Sequence, residues 1–117
     1  MSTPLEPSAP HLRAEPIAVP DTGVELFAYP EVAGFPGGFQ YFEVQPGAET
    51  PLDRHASLEV WTIQAGAGEL YFADAWHPLK AGDCVHFPAL EPHRMRNSGA
   101  QPMRIFALWW RSEHAAL

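Results

Sequence analysis

The chain has 117 residues, which is enough for one domain with a single packed core. Its formal net charge is −7 and its only lysine is Lys80, so no basic patch exists to bind nucleic acid or an anionic membrane surface. A lone cysteine, Cys84, excludes an intramolecular disulfide. No stretch reaches the ~20 apolar residues of a membrane span, and no secretory signal pattern is present. We therefore expect a cytoplasmic protein.

The N-terminal segment, residues 1–22, is rich in proline, and we expect it to be a tail because proline disfavours helices and central strands. Beyond it, short apolar segments alternate with turns that contain glycine, proline or asparagine. The high content of these residues, with 13 prolines and 9 glycines, argues against long helices. We expect strands over residues 24–29, 39–45, 58–65, 69–73, 76–79, 84–87, 93–96 and 103–110.

This spacing of short strands predicts an all-β barrel or sandwich. We expect a single barrel domain over residues 23–112, with a C-terminal tail over 113–117. The last strand is apolar on both faces, so both faces must be covered. Trp109 and Trp110 cannot both face the core, which predicts that the protein is a homodimer.

Three potential metal ligands lie just before and within the strand over residues 58–65. Asp53, His55 and Glu59 have the same parity, so an extended chain points them to one side, and that side continues as Trp61 and Ile63. Burying such groups on an apolar face is costly unless something neutralises them. A divalent cation would do so.

Two sequence patterns keep the spacing of the paired motifs of the cupin superfamily. The first reads Gly47-x5-Asp53-x-His55-x3-Glu59-x6-Gly66, and the second reads Gly82-x5-Pro88-x-Leu90-x2-His93-x3-Asn97. The chain therefore resembles a small single-domain cupin. It departs from the pattern at Asp53, where the family has a histidine, and at Leu90, where it has glycine.

The resemblance implies a jelly-roll β-barrel (a double-stranded β-helix) that holds one divalent metal ion through Asp53, His55, Glu59 and His93. Fe, Mn, Zn and Ni are the candidate ions, and the extra carboxylate favours the harder ones. Aspartate is shorter than histidine, so a set of His55, Glu59 and His93, with water between the ion and Asp53, remains open. So does a metal-free barrel in which the same residues bond one another.

An apolar pocket beside the metal is a further expectation, and plain core packing is its alternative. The candidate pocket residues are Trp61, Tyr41, Phe72, Met95 and Phe106. Outside this set, we expect His77 and His86 to be satisfied structural histidines and Cys84 to be a buried thiol.

The resemblance implies a metal-dependent enzyme of dioxygenase, isomerase, decarboxylase or lyase type, acting on a small organic acid or a sugar-like molecule. The alternative is a non-catalytic module that binds a small ligand. Fold alone does not choose between them, because cupin barrels, like other common folds, host many functions.

Overall fold

The computed structural model describes residues 10–17 and 22–111, which form nine strands. They are β1 (Glu15–Ile17), β2 (Val24–Ala28), β3 (Gly37–Val44), β4 (Leu58–Ala65), β5 (Ala67–Phe72), β6 (Ala75–Lys80), β7 (Cys84–Phe87), β8 (His93–Arg96) and β9 (Met103–Trp110). No helix in these residues is long and apolar enough to cross a membrane. Every strand expected from the sequence is present, with ends that differ by at most two residues.

The strands form two sheets in which all neighbours run antiparallel. The larger sheet has the order β1-β2-β3-β9-β4-β7, and the smaller has the order β6-β5-β8. Isolated bridges from Glu49 to Arg96 and from Asp53 to His93 extend the smaller sheet beyond β8. The all-β prediction is confirmed.

The core lies between the sheets and follows from strand alternation. In β4, for example, Glu59, Trp61 and Ile63 are buried, whereas the residues between them point to the other side. The buried apolar residues are Phe42, Val44, Trp61, Ile63, Leu70, Phe87, Met95, Met103, Ile105 and Ala107. The segment expected to bind metal therefore enters the core.

The short strand β1 lies inside the segment that was expected to be a tail. It pairs with β2 at the edge of the larger sheet, with Pro16 opposite Phe27. An edge strand tolerates proline because one side of its backbone has no strand partner. Residues 1–9 and 18–21 of that expected tail lie outside the described residues, and so does the C-terminal segment 113–117.

Asn97, the last residue of the second motif, organises the loop between β8 and β9. Its side-chain amide donates to the carbonyls of Val44 and Gln101, both at 2.8 Å, and its oxygen accepts from the Gly99 amide at 2.9 Å. Asn97 is only 2% exposed, and each of its side-chain polar atoms is bonded. This motif residue thus has a structural role that fixes the end of β8.

The larger sheet has a second apolar face, which we call the outer face. Its aromatic side chains pack on one another: Tyr41 stacks on Phe27 at 4.6 Å between ring centroids, and Tyr29 meets Phe106 edge-on at 6.3 Å. The apolar members of the outer face are Phe27, Tyr29, Phe39, Tyr41, Leu58, Val60, Phe106, Leu108 and Trp110. All of them are half-buried in the described chain.

Candidate metal centre

The candidate site lies where the two sheets meet at one end of the core. Glu59, the second residue of β4, is in register with Phe87 of β7 and Trp109 of β9. His93 opens β8, and its backbone exchanges two hydrogen bonds of 2.9 Å with Asp53. His55 follows Asp53 by two residues, in the loop that leads to β4.

The imidazoles of His55 and His93 approach the same oxygen of Glu59. Nε2 of His93 is 3.5 Å from Oε1 of Glu59, and Nε2 of His55 is 3.9 Å from that oxygen. One ligand atom from each of the three residues lies within 4.8 Å of the others. Glu59 and His93 are buried, whereas the His55 side chain is 44% exposed, so the group opens to solvent on the His55 side.

Two buried polar atoms in this group have no hydrogen-bond partner among the described residues. They are Oε1 of Glu59 and Nε2 of His93. Their separation of 3.5 Å exceeds that of a good hydrogen bond. Buried polar atoms are rarely left unpaired, and a divalent ion with ligand bonds of about 2.0–2.2 Å would contact both. The donor set therefore fits a metal ion.

Neighbouring groups orient the two buried ligands. Nε1 of Trp61 donates a hydrogen bond of 2.9 Å to Oε2 of Glu59, which leaves Oε1 facing the histidines. Nδ1 of His93 lies 3.0 Å from the carbonyl oxygen of Glu91, and a carbonyl can only accept, so Nδ1 carries the proton. Nε2 of the neutral ring then presents its lone pair to Glu59, as metal-binding imidazoles require.

Aromatic rings hold the His93 imidazole in place. Phe87 stacks on it with ring centroids 4.1 Å apart and planes 13° apart. Trp61 meets it nearly at a right angle, at 5.2 Å, and His55 lies 5.4 Å away. These contacts restrict rotation of the ring, so Nε2 of His93 stays directed at Glu59.

The two buried groups have shifted pKa values that favour opposite charges. Burial raises the pKa of Glu59, but His93, the hydrogen bond from Trp61 and the charge of His55 outweigh burial and leave the pKa below its ordinary value. Burial lowers the pKa of His93, but Glu59, the Glu91 carbonyl and the charge of Asp53 outweigh it and leave the pKa raised. The site therefore stabilises an anionic Glu59 and attracts positive charge.

Asp53 is half-buried and lies beside the three-residue group without belonging to it. Its backbone pairs with His93, and its charge raises the pKa of His93. Its role as a fourth metal ligand stays a prediction.

A cavity of about 310 Å³ adjoins His55 and Glu59 and gives access to the group. Gln40, Ser57 and Trp109 complete its lining. Sequence reasoning missed these three residues. Parity along β3 and β9 was the available signal, since Gln40 shares the face of the buried Phe42 and Trp109 shares the face of the buried Ala107. Placing both at the site also required the pairing of β3 with β9 and of β9 with β4.

The residues expected to line an apolar pocket beside the metal are divided among three places. Trp61 and Met95 belong to the buried core, and Trp61 also bonds Glu59. Phe72 lines a different cavity, described below. Tyr41 and Phe106 are register partners on the outer face, opposite to Glu59. Strand alternation thus removes Tyr41 and Phe106 from the predicted pocket.

Three other expectations concern exposed positions. Nε2 of His77 bonds to the Phe72 carbonyl at 3.0 Å, so this histidine is satisfied locally. His86 is exposed on β7. Cys84 is also exposed, so the expectation of a buried thiol was wrong: β7 is an edge strand, and Cys84 lies on its outward side.

The sequence profile of the cupin domain family (Cupin_2) matches residues 40–110, which is more than half of the chain. The chain therefore belongs to the cupin family, and the resemblance drawn from the two motifs is confirmed. The matched region contains Glu59, His55 and His93.

Auxin-binding protein 1 of Arabidopsis thaliana is 29% identical over 72 residues, which is 54% of this chain and 36% of that protein. The match covers 36% of that protein and 50% of a second curated relative, the uncharacterized protein MJ1618 of Methanocaldococcus jannaschii, which is 32% identical over 63 residues.

Similar solved structures establish the barrel fold. A predicted oxalate decarboxylase from Thermotoga maritima superimposes with a TM-score of 0.73 and 22% identity, over 86% of this chain and 93% of that one. The polyketide cyclase RemF from Streptomyces resistomycificus gives 0.71 and 19%, over 90% of this chain and 80% of that one. The cupin-type β-barrel prediction is confirmed.

Proposed function

We propose that this protein is a small metal-dependent cupin enzyme acting on a small polar molecule, either an organic acid or a sugar-like compound. The proposal depends on one observation: Oε1 of Glu59 and Nε2 of His93 are buried without hydrogen-bond partners and lie 3.5 Å apart. Leaving both unpaired would cost about 1–3 kcal/mol for each group. A divalent cation between them removes that cost.

In this proposal His55, Glu59 and His93 hold the ion. Two imidazoles and one carboxylate leave open coordination positions and form the ligand set of non-haem iron(II) enzymes. We propose Fe or Mn before Zn or Ni, because Asp53 adds a second carboxylate close to His93. Asp53 acts mainly through its charge and need not contact the ion directly.

The bound ion would supply Lewis-acid polarisation of a carbonyl or hydroxyl oxygen of the substrate. The protein contributes the rest of the site. The carboxamide of Gln40 can donate and accept hydrogen bonds, the hydroxyl of Ser57 can do the same, and the indole of Trp109 provides an apolar wall. A volume of about 310 Å³ is at the low end for ligand pockets and limits the substrate to a small molecule.

Metal analysis tests this proposal directly. Protein purified without chelators, and then reconstituted separately with Fe, Mn, Zn and Ni, should bind close to one ion per chain. Glu59→Gln and His93→Ala should lose that ion, and the metal-loaded wild type should then be screened for turnover of small acids and sugars. A stoichiometry well below one ion per chain after every reconstitution would overturn the metal site.

A second candidate function is small-ligand binding without catalysis. It is favoured by the similarity to a relative that is named for binding, Auxin-binding protein 1. The two functions differ in one observable result. A compound that raises the melting temperature of the metal-loaded protein but is recovered unchanged would favour binding, whereas its conversion would favour the enzyme.

We also propose that the outer face pairs with the same face of a second copy. Four adjacent strands give this face a width of roughly 20 Å and a length of roughly 25 Å, which approaches the size of one side of a standard protein interface. Its apolar members include the edge-on pair Tyr29 and Phe106. Contiguous apolar patches of this size on a sheet usually mark an interface.

A further inference from the structure

A second cavity, larger than the one at the candidate metal centre, lies between β6 and β7. Its volume is about 450 Å³, compared with about 310 Å³ for the cavity beside His55 and Glu59. β6 and β7 are the end strands of the two sheets, so the barrel is not closed by strand pairing at this point. The cavity therefore extends from the surface between the two end strands into the apolar interior.

The lining of this cavity has the composition of a small-molecule site. Leu70, Phe72, Leu79, Val85 and Phe87 supply hydrocarbon surface. The other two lining residues are exposed histidines, and only His77 points to the cavity side: its register partner Leu70 lines the cavity, whereas His86 pairs with Val60 on the outer face. Ligand pockets combine a mainly apolar wall with a few polar groups that fix orientation, and they have volumes of about 300–1,000 Å³.

The imidazole of His77 has a ring nitrogen free for a ligand. Nε2 of His77 bonds to the Phe72 carbonyl at 3.0 Å, and a carbonyl can only accept, so Nε2 carries the proton and Nδ1 of the neutral ring is an acceptor. The polar end of the cavity can therefore accept one hydrogen bond from an incoming molecule.

The cavity is separated from the candidate metal centre by one aromatic ring. Phe87 lines the cavity and stacks on His93 at 4.1 Å, whereas His55 and Glu59 do not line it. Phe72 and Phe87 lie 5.8 Å apart, so they present two neighbouring rings to the cavity. A flat apolar molecule would pack on these rings better than a hydrated sugar would.

We propose that this cavity is a second binding site, which takes a planar apolar molecule that carries one hydroxyl group. The ring system packs on Phe72 and Phe87, and the hydroxyl donates a hydrogen bond to Nδ1 of His77. The site is distinct from the metal centre and does not depend on the ion.

Two fluorescent naphthalene dyes of similar shape test the proposal, and they differ in whether they carry a hydrogen-bond donor. 2-Naphthol has a hydroxyl donor, and 2-methoxynaphthalene is its counterpart without one. Both should bind the metal-free protein at a stoichiometry of one per chain. His77→Ala should weaken binding of 2-naphthol several-fold and leave binding of 2-methoxynaphthalene unchanged, because only the hydroxyl can donate to Nδ1 of His77.

Filling the cavity should prevent binding of both dyes. Leu79→Trp or, if that variant does not fold, Val85→Phe should weaken both dyes about tenfold or more, since either change occupies the space that the ring system needs. Val32→Ser, at an exposed position outside the two cavities, is the control and should bind both dyes as the wild type does. Unchanged binding of both dyes in Leu79→Trp and in Val85→Phe would overturn the proposal.

Amide chemical shifts of the wild type, recorded with each dye, give a test that requires no variant. The proposal expects the largest changes at Phe72, Leu79 and Val85. Changes centred on Gln40 and Ser57 would mean that the dye enters the metal-centre cavity, and changes centred on the outer face would mean non-specific adsorption. Either result would overturn the second site while leaving the metal proposal intact.

Discussion

The indole Nε1 of Trp61 donates a hydrogen bond of 2.9 Å to Oε2 of Glu59, two residues earlier on the same strand. Both side chains point into the core because residues two apart on a strand share a face. This bond occupies one carboxylate oxygen and directs the other towards His55 and His93, at 3.9 and 3.5 Å. The orientation of the proposed ligand is thus built into β4.

Trp61→Phe should weaken metal binding without removing it. The phenyl ring retains most of the volume but cannot donate to Glu59, and loss of a group that orients a ligand typically lowers metal affinity about 10–100-fold. Competition with a chelator would measure the change. Trp76→Phe, at an exposed position on β6, is the control. Equal affinities for the wild type and Trp61→Phe would show that this hydrogen bond does not support the site.

Substitutions of the ligands distinguish a three-residue site from a four-residue site. His93→Ala and Glu59→Gln should each abolish stoichiometric binding. Asp53→Asn should retain one ion per chain with reduced affinity, because Asp53 lies outside the three-residue group and contributes mainly its charge. Metal content after gel filtration measures these outcomes. Complete loss of the ion in Asp53→Asn would instead make Asp53 a direct ligand.

The sequence was sufficient to find the residues of the proposed site but not to find its cavity. Parity along one strand placed Glu59 beside Trp61, and the spacing of the second motif identified His93. The cavity residues Gln40 and Trp109 come from β3 and β9, and the pairing between distant strands is not encoded in any local pattern.

The same limitation explains why two aromatic residues that were expected beside the metal lie on the outer face. β3 and β9 are apolar on both faces, so periodicity could not tell which side faces the core. The register pairs Tyr41 with Phe106 on the outer face and pairs Phe42 with Ile105 inside. Only the neighbouring strands decide between these two sides.

Leu108→Glu should convert the proposed homodimer into a monomer. Leu108 is half-buried on the outer face of β9, and a charge placed there would lose its water in the interface. Light scattering at micromolar concentrations would measure the mass. Trp76→Glu, on β6 in the other sheet, should remain dimeric. A wild-type protein of monomeric mass would contradict the proposed interface.

Leu90→Gly should stabilise the protein. Leu90 stands where the cupin motif has glycine, and its φ is 68°, in the left-handed region. An L-residue there costs about 1–2 kcal/mol, whereas the greater unfolded-state freedom of glycine costs roughly 0.5–1 kcal/mol. Little packing is lost because Leu90 is 53% exposed.

The expected net gain is roughly 0.5 kcal/mol or more, which urea unfolding can resolve. Leu90→Ala is the matched control: it keeps the Cβ atom and therefore the strain, so it should not be stabilised. The backbone amide of Leu90 donates to the carbonyl of His55. Glycine keeps this amide, so the substitution should leave the loop that carries His55 in place. A destabilised Leu90→Gly would show that the turn does not store this strain.

The pairing between β5 and β8 should make stability depend on pH through Glu69. Ser98 donates a hydrogen bond of 2.6 Å to Oε2 of Glu69, and Nε of Arg96 donates one of 2.9 Å to Oε1. The bond from Ser98 and then that from Arg96 lower the pKa of Glu69 below its ordinary value of 4.5. A carboxyl group with a lowered folded-state pKa stabilises the protein above its unfolded-state pKa, and this contribution is lost as the pH falls through the folded-state pKa.

Glu69→Gln should therefore be less stable than the wild type at pH 7, by roughly 0.5 kcal/mol because the pair is partly exposed to solvent. The difference should shrink progressively below about pH 4.5, where the wild-type carboxyl also becomes neutral. Urea unfolding of both proteins between pH 7 and pH 3 would measure it. Ser98→Ala should reduce the pH-dependent part, since Ser98 makes the larger contribution to the shift. A difference that stays constant over this range would mean that Glu69 stabilises the sheets by packing and not by its charge.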